Sequence, residues 1–414
     1  MSNRGGQPSP RLWAARAGVV ERAIHARHLR RLWGLPGSLL GVVSWPPSTS
    51  RTLFTHWDYW WQAHLLDCLV DAHGRAPTPA RRSAIIRITR GIRWRNTIGS
   101  GNWTNDYYDD MAWLGLALVR AQRDAGVARP DAVRTLAGEL RDAWTDHGGG
   151  GIWWRRRDDF KNVPANGPAA ILLARLADQA SGSDRAGCGD RADLQRARST
   201  VDWIEEHLVD PETGLVWDGL HVAADGSVRS VEKAVYTYCQ GVFLGACVEL
   251  ARRDRPADAP VWAWRAARTI EAVAEHLTVP GEDGPVLRGQ GGGDGGLFAG
   301  ILARYLAQAA IVLPTVAPEF AEVGKLAGAL VFSAGEAAWR NRAIAPGGPL
   351  FGPEWSKVAV LPGRVTRPER DLSVQAGAWM LLEAAALLEL QQPAKSAISS
   401  PVTGSGSTGP PEVA

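Results

Sequence analysis

Two neighbouring carboxylates near the start of an otherwise apolar helix are the residues of this chain best suited to chemistry. Asp109 and Asp110 follow Tyr107 and Tyr108, and Trp113 lies one turn further along. An ionised carboxylate is costly to remove from water, so a helix that faces a core rarely begins with two of them. Two adjacent acids among aromatic rings suit a site that holds a sugar and protonates a glycosidic oxygen.

The spacing of this pair leaves two interpretations open. Acids in the first turn of a helix also complement its dipole, and that structural role needs no active site. Adjacent Cα atoms lie about 3.8 Å apart, and diverging side chains would place the two carboxyl groups about 5 Å apart, near the separation in glycosidases that retain anomeric configuration. Rotation of the side chains would widen this gap.

The densest aromatic cluster is Trp57-Asp58-Tyr59-Trp60-Trp61, in a predicted helix. Helical spacing places Trp57 and Trp61 on one face, where packing in the core is expected. Trp60 and Asp58 point elsewhere, which makes Trp60 a candidate platform for a sugar ring.

Two polar segments open further apolar helices. In residues 162–168, Asn166 either caps its helix or presents an amide to sugar hydroxyls. In residues 236–241, Tyr238 and Gln240 either donate hydrogen bonds to a sugar or form a capping and packing set. The residues alone leave both alternatives open.

Composition and charge exclude several classes of protein. The 414 residues are 45% hydrophobic, which permits a large core, and 46 Lys and Arg against 43 Asp and Glu argue against a dedicated nucleic-acid binder. The 19 Trp outnumber Tyr and Phe together, and Trp serves both cores and carbohydrate platforms. The nine His and four Cys show no metal-ligand spacing. The glycine-rich residues 289–296 lack the Lys and the Ser or Thr of a phosphate loop, so neither a metal nor a cofactor is expected.

Helical periodicity dominates the chain and predicts twelve helices. They span residues 10–33, 52–73, 79–95, 106–124, 130–145, 166–181, 190–208, 234–254, 259–278, 297–313, 317–341 and 371–390. Helices of similar length that pair in sequence either form an open solenoid or close into a ring of six hairpins. Long loops at 96–105, 146–163, 209–233 and 279–296 would surround one cleft at the end of a ring, and the loop 209–233 resembles a short β-hairpin.

A single folded domain is expected over residues 10–391. Residues 1–9 and the Ser-, Pro- and Gly-rich tail 392–414 are expected to be disordered. No segment has the pattern of a signal peptide, and none approaches a membrane span. Scattered thiols are typical of a reducing compartment, so the sequence predicts a cytoplasmic protein without integral membrane association.

Five motifs together resemble those of glycoside hydrolase family 76, the endo-α-1,6-mannanases. They are Trp60-Trp61-Gln62-Ala63-His64, Tyr107-Tyr108-Asp109-Asp110-Met111-Ala112-Trp113, Ala165-Asn166-Gly167, Thr237-Tyr238-Cys239-Gln240-Gly241-Val242-Phe243-Leu244-Gly245 and Phe298-Ala299-Gly300-Ile301-Leu302-Ala303-Arg304-Tyr305-Leu306. The aspartate motif is the most specific of them. Two positions depart from the family pattern, because Cys239 stands where Asn is usual and Ala299 where Lys is common.

The resemblance implies an all-α fold, an (α/α)6 barrel, that cleaves α-1,6-linked mannan or mannooligosaccharides with retention. It implies that Asp109 is the nucleophile and Asp110 the acid/base residue. The residues expected to bind this substrate are Trp60, Asn102, Trp103, Tyr107, Asn166, Tyr238, Gln240 and Arg304.

Other functions stay open at this point. A transglycosylase would pass the covalent intermediate to another glycan rather than to water, and a non-catalytic mannan-binding protein would keep the aromatic platform without turnover. The presence of both acids argues against the second. A sugar epimerase on the same helical ring would need well-placed histidines. His64, His147, His207 and His221 are not obviously arranged for that chemistry.

Overall fold

The computed structural model of the chain describes residues 11–98, 101–181, 188–363 and 367–391, and for residues 178–181 and 188–190 it describes the backbone alone. The disorder predicted for residues 1–9 and 392–414 lies outside the described residues. Most of the described chain is helical. Its α-helices are α1 (Leu12–His28), α2 (Thr49–Thr52), α3 (Tyr59–Arg75), α4 (Pro79–Thr97), α5 (Tyr108–Ala125), α6 (Pro130–Asp142), α7 (Val163–Ser181), α8 (Cys188–Leu208), α9 (Thr237–Arg253), α10 (Ala259–His276), α11 (Gly295–Val316), α12 (Ala321–Arg340) and α13 (Leu372–Gln391).

Twelve of these helices form two concentric rings. The inner ring is α3, α5, α7, α9, α11 and α13, each packed against the next, and α13 closes the ring against α3. Each inner helix also packs against an outer partner, and α1 serves α13 in this role. The chain is therefore an (α/α)6 barrel, and the prediction of a closed ring of six hairpins is confirmed.

The two rings differ in how much of each helix is buried. Most residues of α9, α11 and α13 are buried, as expected for apolar helices that neighbours enclose. The outer helix α6 buries one apolar stripe and leaves its other face polar. Small residues bring inner backbones together, since a Cβ placed on Gly300 of α11 would lie 2.5 Å from the carbonyl oxygen of Gly377 in α13.

The inner helices run through the ring in one direction. Residues from the first turns of α3, α5, α9 and α11 line one cavity. Residues from the later turns of the same helices line a second cavity at the opposite end. The N-terminal ends of the inner helices thus meet at one mouth of the barrel.

Short antiparallel strands lie in the connections between helices. They are β1 (Leu29–Arg30), β2 (Leu40–Gly41), β3 (Phe160–Asn162), β4 (Gly219–Val222), β5 (Val228–Glu232), β6 (Thr278–Val279), β7 (Val286–Leu287), β8 (Ala343–Ala345) and β9 (Gly348–Leu350). The largest sheet has the order β3-β4-β5, with Lys161 opposite Leu220. The hairpin expected in residues 209–233 is confirmed as β4-β5, whereas β3 forms inside the predicted loop 146–163.

Some predicted helix ends are correct and others are wrong. Thr78 caps α4 as its sequence suggests, because its Oγ1 accepts the backbone N–H of Arg81 at 3.2 Å. Asp106, the first residue of the helix predicted over 106–124, lies outside α5, which begins at Tyr108 without a side-chain cap. The first predicted helix, 10–33, ends at His28 because the next two residues pair with β2.

The helix that carries Asn166 also begins earlier than predicted. It starts at Val163, so Asn166 lies within its first turn. The side chain of Asn162 takes the capping role instead, since its Oδ1 accepts the backbone N–H of Ala165 at 3.2 Å.

One helix corrects the expectation that no segment approaches a membrane span. By length and composition alone, α11 is apolar enough to cross a membrane. Of its most apolar window, 78% is buried inside the barrel, which is typical of a core helix.

Candidate active site

A cleft of about 570 Å³ opens at the mouth where the inner helices begin. Its walls come from the starts of α3, α5, α9 and α11 and from the sheet that contains β3 and β4. The residues that line it are Asp58, Tyr59, Trp60, Tyr107, Asp109, Asp110, Trp113, Trp154, Phe160, Asn162, Asp218, Tyr236, Tyr238, Asp294 and Phe298. The structure therefore brings both members of the acid pair into one cleft.

Asp109 is held by hydrogen bonds to both of its carboxylate oxygens. Its Oδ1 accepts the backbone N–H of Asp110 at 2.9 Å, and its Oδ2 accepts the indole Nε1–H of Trp154 at 3.1 Å. Burial raises the pKa of Asp109 to about 6, while these hydrogen bonds to the ionised form pull the pKa down. Asp109 is therefore ionised at neutral pH.

The surroundings of Asp110 favour its protonated form. Burial, and then the charge of Asp109, raise the pKa of Asp110 well above its ordinary value. The side-chain amide of Asn105 donates to its Oδ2 at 2.5 Å, which opposes that rise. Asp109 accepts a donor at each oxygen, so it loses its proton first, and its charge then favours the protonated form of Asp110. This order of ionisation is the division that a nucleophile and a general acid require.

Aromatic rings form the apolar part of the cleft. Tyr238 stacks on Phe298 with the ring centroids 3.9 Å apart and the planes 3° from parallel. The ring of Trp60 is tilted against both of these rings, with centroid distances of 6.5 Å to Tyr238 and 6.3 Å to Phe298. Tyr107 lies on the other side, with its ring against that of Trp154. Of the residues expected to bind substrate, Trp60, Tyr107 and Tyr238 line the cleft.

Three further aspartates in the cleft were not among the expected site residues. They are Asp58, Asp218 and Asp294. The indoles of Trp60 and Trp61 both donate to Oδ1 of Asp294, at 3.0 and 2.8 Å. Trp61 is therefore buried in the core, as expected, and also holds a carboxylate of the cleft in place. A signal for Asp294 was present in the sequence as the single acid of the glycine-rich residues 289–296.

Asp218 lies in the cleft beside Cys239, one of the two positions that depart from the family pattern. Burial raises its pKa to about 7, and the charge of Glu232 adds to that rise. The thiol of Cys239 lies 3.8 Å from Oδ1 of Asp218 and is fully buried. Cys239 therefore supplies a weak S–H donor where an Asn would supply an amide.

Five of the expected substrate-binding residues do not line the cleft. Asn102 is exposed, and Trp103 is buried with its indole donating to Asp131 at 3.2 Å. The amides of Asn166 and Gln240 are fully buried and bind the backbone of Ile152 and Val216 respectively. Both side chains therefore hold the fold together and do not face the sugar, but neither caps its helix, because Asn162 takes that role in α7 and α9 has no side-chain cap.

Arg304, the fifth, lies deeper in the ring. It is six residues beyond Phe298 in α11, which corresponds to roughly 9 Å along the helix axis. Its guanidinium pairs with Asp67 and Asp71 of α3, and both acids also pair with Arg120 of α5 at 2.5 Å. Its expected role in sugar binding is replaced by a link among three inner helices.

Histidines take no part in lining the cleft. His64 lies behind it, with its ring 4.5 Å from that of Trp113 and 5.4 Å from that of Trp60. Burial lowers the pKa of His64 to about 3, so this imidazole stays neutral. The arrangement gives no support to the epimerase alternative, which needs a histidine at the sugar. Within the described ranges, no three His, Cys, Asp or Glu side chains are grouped to hold a metal ion.

Comparisons with known proteins agree with this geometry. The sequence model of glycosyl hydrolase family 76 matches residues 21–377. No curated protein matches the chain significantly.

Several solved structures are similar to this chain. One is an inactive variant of the α-1,6-mannanase GH76A of Salegentibacter sp. HEL1_6 in complex with α-1,6-mannotriose, with 29% identity, a TM-score of 0.73, and coverage of 91% of this chain and 99% of that chain. Another is the Lin0763 protein of Listeria innocua, with 25% identity, a TM-score of 0.74, and coverage of 92% and 98%.

A more distant likeness concerns the fold alone. Dfg5 from Chaetomium thermophilum, in complex with glucosamine, is 17% identical with a TM-score of 0.68, over 91% of this chain and 90% of that chain. The family model covers most of the sequence, and the paired acids lie in the cleft of the barrel. The chain is a glycoside hydrolase that belongs to glycosyl hydrolase family 76.

Proposed function

We propose that this glycoside hydrolase cleaves α-1,6-linked mannan or mannooligosaccharides by a retaining double displacement, with Asp109 as nucleophile and Asp110 as acid/base residue. The observation that carries the proposal is the unequal setting of two acids in one cleft: Asp109 accepts a donor at each carboxylate oxygen, whereas Asp110 accepts one amide and lies beside that charge. The similar mannanase was made inactive by replacing two adjacent aspartates, and such variants hold mannotriose or mannotetraose.

The first step forms a covalent mannosyl-enzyme. A carboxylate oxygen of Asp109 attacks the anomeric carbon, the bond from that carbon to the glycosidic oxygen breaks, and the oxygen takes the proton of Asp110. In the second step, Asp110 accepts a proton from water while the water oxygen attacks the same carbon and releases Asp109. Two inversions give net retention.

Trp154 and the N-terminal end of α5 support the charged state of Asp109. The indole donor and the backbone N–H of Asp110 both reach its carboxylate, and a helix N-terminus favours negative charge. The nearby rings of Trp60, Tyr107 and Tyr238 offer flat apolar surface against which pyranose faces can pack.

Incubation of the purified protein with α-1,6-mannotriose, followed by chromatography of the products, tests the activity. We expect cleavage by the wild type and loss of at least about 1,000-fold in kcat for Asp109→Asn, because no other group in the pair can form the covalent bond. Asp106→Asn is the matched control, since Asp106 is an exposed acid three residues earlier that does not line the cleft. Absence of cleavage by the wild type would refute the proposal.

Azide rescue separates the two roles. An aryl α-mannoside with a good leaving group needs little acid catalysis, so Asp110→Ala should still form the covalent intermediate and azide should then accelerate turnover. The product expected from that variant is α-mannosyl azide. Asp109→Ala should give β-mannosyl azide, because azide attacks directly from the face that the nucleophile vacates. Exchange of these two products between the variants would reverse the assignment.

A further inference from the structure

Lys161 is a buried lysine whose ammonium lies in a cage of oxygens beside the active site. Its side chain is completely buried. Nζ lies within hydrogen-bond distance of five oxygens: the carbonyl oxygens of Thr145, His147, Gly150 and Gly151 at 3.0, 2.7, 2.6 and 2.9 Å, and Oγ1 of Thr145 at 2.9 Å. An ammonium has three N–H donors and no acceptor, so a ring of acceptors matches its charged form.

The loop that forms this cage contains four consecutive glycines. Gly148, Gly149, Gly150 and Gly151 all have positive φ, at 63°, 79°, 134° and 79°. Glycine reaches these conformations freely but loses the most conformational entropy when it is fixed. The four backbone carbonyl oxygens that converge on Nζ also repel one another unless a positive charge lies between them.

The same loop leads directly to the nucleophile. Beyond the cage, the ring of Trp153 lies 4.6 Å from Nζ of Lys161, in a cation–π contact. The next residue, Trp154, donates its indole N–H to Asp109, and its carbonyl oxygen accepts the backbone N–H of Tyr108 at 2.9 Å. Ile152, which joins the cage to Trp153, is fixed by hydrogen bonds between its backbone and the amide of Asn166.

We propose that Lys161 is a positioning residue: its ammonium takes the place of a bound cation in the carbonyl cage of residues 145–151, and the ordered loop then holds Trp154 against Asp109. Lys161 touches neither the sugar nor the reacting atoms. Burial lowers its pKa to about 7, and the nearby charge of Asp146 opposes that shift, so the caged cation is fully formed below about pH 7 and is lost as pH rises above that value. The proposal rests on the proposed function only for its activity measurement.

The first test replaces the lysine by a side chain of similar length that cannot donate. We expect Lys161→Met to lower kcat on α-1,6-mannotriose by about 10- to 100-fold with KM changed less than about threefold, because the nucleophile is misplaced while the aromatic surfaces remain. Lys325→Met is the matched control, since Lys325 is an exposed lysine on the outer helix α12. Unchanged kcat in a folded Lys161→Met variant would overturn the proposal.

The second test uses chemical rescue. Lys161→Ala removes three methylene groups and the ammonium, which together equal n-propylammonium. We expect this cation to raise the kcat of Lys161→Ala at least about tenfold, with saturation at high concentration. The uncharged n-propanol, which has the same length, should not raise it. Equal rescue by both molecules would show a space-filling role and overturn the proposal. So would failure of both lysine variants to fold with or without the cation, because Lys161 would then serve the whole barrel.

A double-mutant cycle tests whether the effect passes through Trp154. If Lys161 acts by holding that indole, Lys161→Met should cost little further kcat once Trp154→Phe has removed the donor. If the double variant instead loses kcat by the full product of the two single losses, the proposal is overturned. A wild type that does not cleave mannotriose would instead refute the proposed function, so the two failures are distinguishable.

Discussion

The division of roles between Asp109 and Asp110 follows from what surrounds each carboxyl group. Both are partly withdrawn from water in the cleft, which raises the pKa of each. Asp109 alone receives a donor at each oxygen, from the backbone of its neighbour and from Trp154. The first proton therefore leaves Asp109, and the resulting charge then holds the proton on Asp110.

This order of ionisation predicts the pH dependence of kcat/KM. The rate constant should rise as pH increases through about 6, when Asp109 ionises, and should fall at higher pH, when Asp110 loses its proton. In Trp154→Phe the loss of a donor to the ionised form raises the pKa of Asp109, so the acid limb should move up by roughly one pH unit.

The control for that shift is Trp33→Phe, because the indole of Trp33 donates to the carbonyl oxygen of Leu53 and is largely exposed. Initial rates between pH 4 and 9 give both profiles. An acid limb that stays in place in Trp154→Phe would contradict the role given to this indole.

Asp110 should reduce the stability of the folded protein at neutral pH. Its pKa is higher in the folded chain than in the unfolded chain, so its contribution to stability decreases as pH rises above the unfolded value of about 3.9. Asp110→Asn does not titrate and should raise the free energy of unfolding at pH 7 by about 1 to 3 kcal/mol. Denaturant unfolding measures the difference, which should vanish below pH 4. Asp106→Asn should show no such gain, and an equal gain there would contradict the explanation.

The helices were largely predictable because their apolar periodicity is local. The set of side chains that line the cleft was not, because it depends on contacts between distant segments. The start of α4 follows from Thr78 and Pro79 alone. The start of α7 does not, because it depends on Asn162, which belongs to β3, and β3 exists only where β4 pairs with it. A strand of three residues carries too little local pattern to be recognised.

The same difference explains which site residues were predicted. Asp109 and Asp110 were recognisable because two acids interrupt an apolar helix. Asn166 and Gln240 carry the same kind of signal, a polar residue before an apolar run, but each binds the backbone of a segment distant in sequence. The amide type alone does not distinguish a sugar from a backbone partner, so these two side chains were misplaced.

The structural role of Asn166 predicts a loss of stability. Asn166→Ala leaves the backbone of Ile152 and the carbonyl oxygen of Asn162 without their partner, and we expect the free energy of unfolding to fall by about 2 to 4 kcal/mol. Asn102→Ala is the matched control, because Asn102 is exposed, and should change it by less than about 0.5 kcal/mol. Equal losses in the two variants, measured by denaturant unfolding, would contradict this role.

Across the whole barrel, a buried network of charges ties the inner helices together below the cleft. Asp67 and Asp71 of α3 each pair with Arg120 of α5 and with Arg304 of α11. The network joins helices that are not neighbours in sequence, so it was not readable from the motif that contains Arg304.

Removal of one cation from this network should be costly. Arg304→Ala leaves Asp67 buried with half of its partners, and we expect the free energy of unfolding to fall by about 3 to 5 kcal/mol while KM for mannotriose changes less than about twofold. Arg255→Ala breaks an exposed pair with Asp258 and should cost less than about 1 kcal/mol. A raised KM at unchanged stability in Arg304→Ala would instead return Arg304 to the substrate-binding residues.

The stereochemistry of the first product decides between a double displacement through a covalent intermediate and a single displacement by water. Proton NMR of α-1,6-mannotriose, recorded within the first minutes after the enzyme is added and before mutarotation, identifies the anomer that is released. Nucleophilic attack by Asp109 followed by attack of water predicts that the α-anomer accumulates first and that the β-anomer grows in more slowly. Initial accumulation of the β-anomer would mean a single displacement by water, and Asp109 would not be the nucleophile.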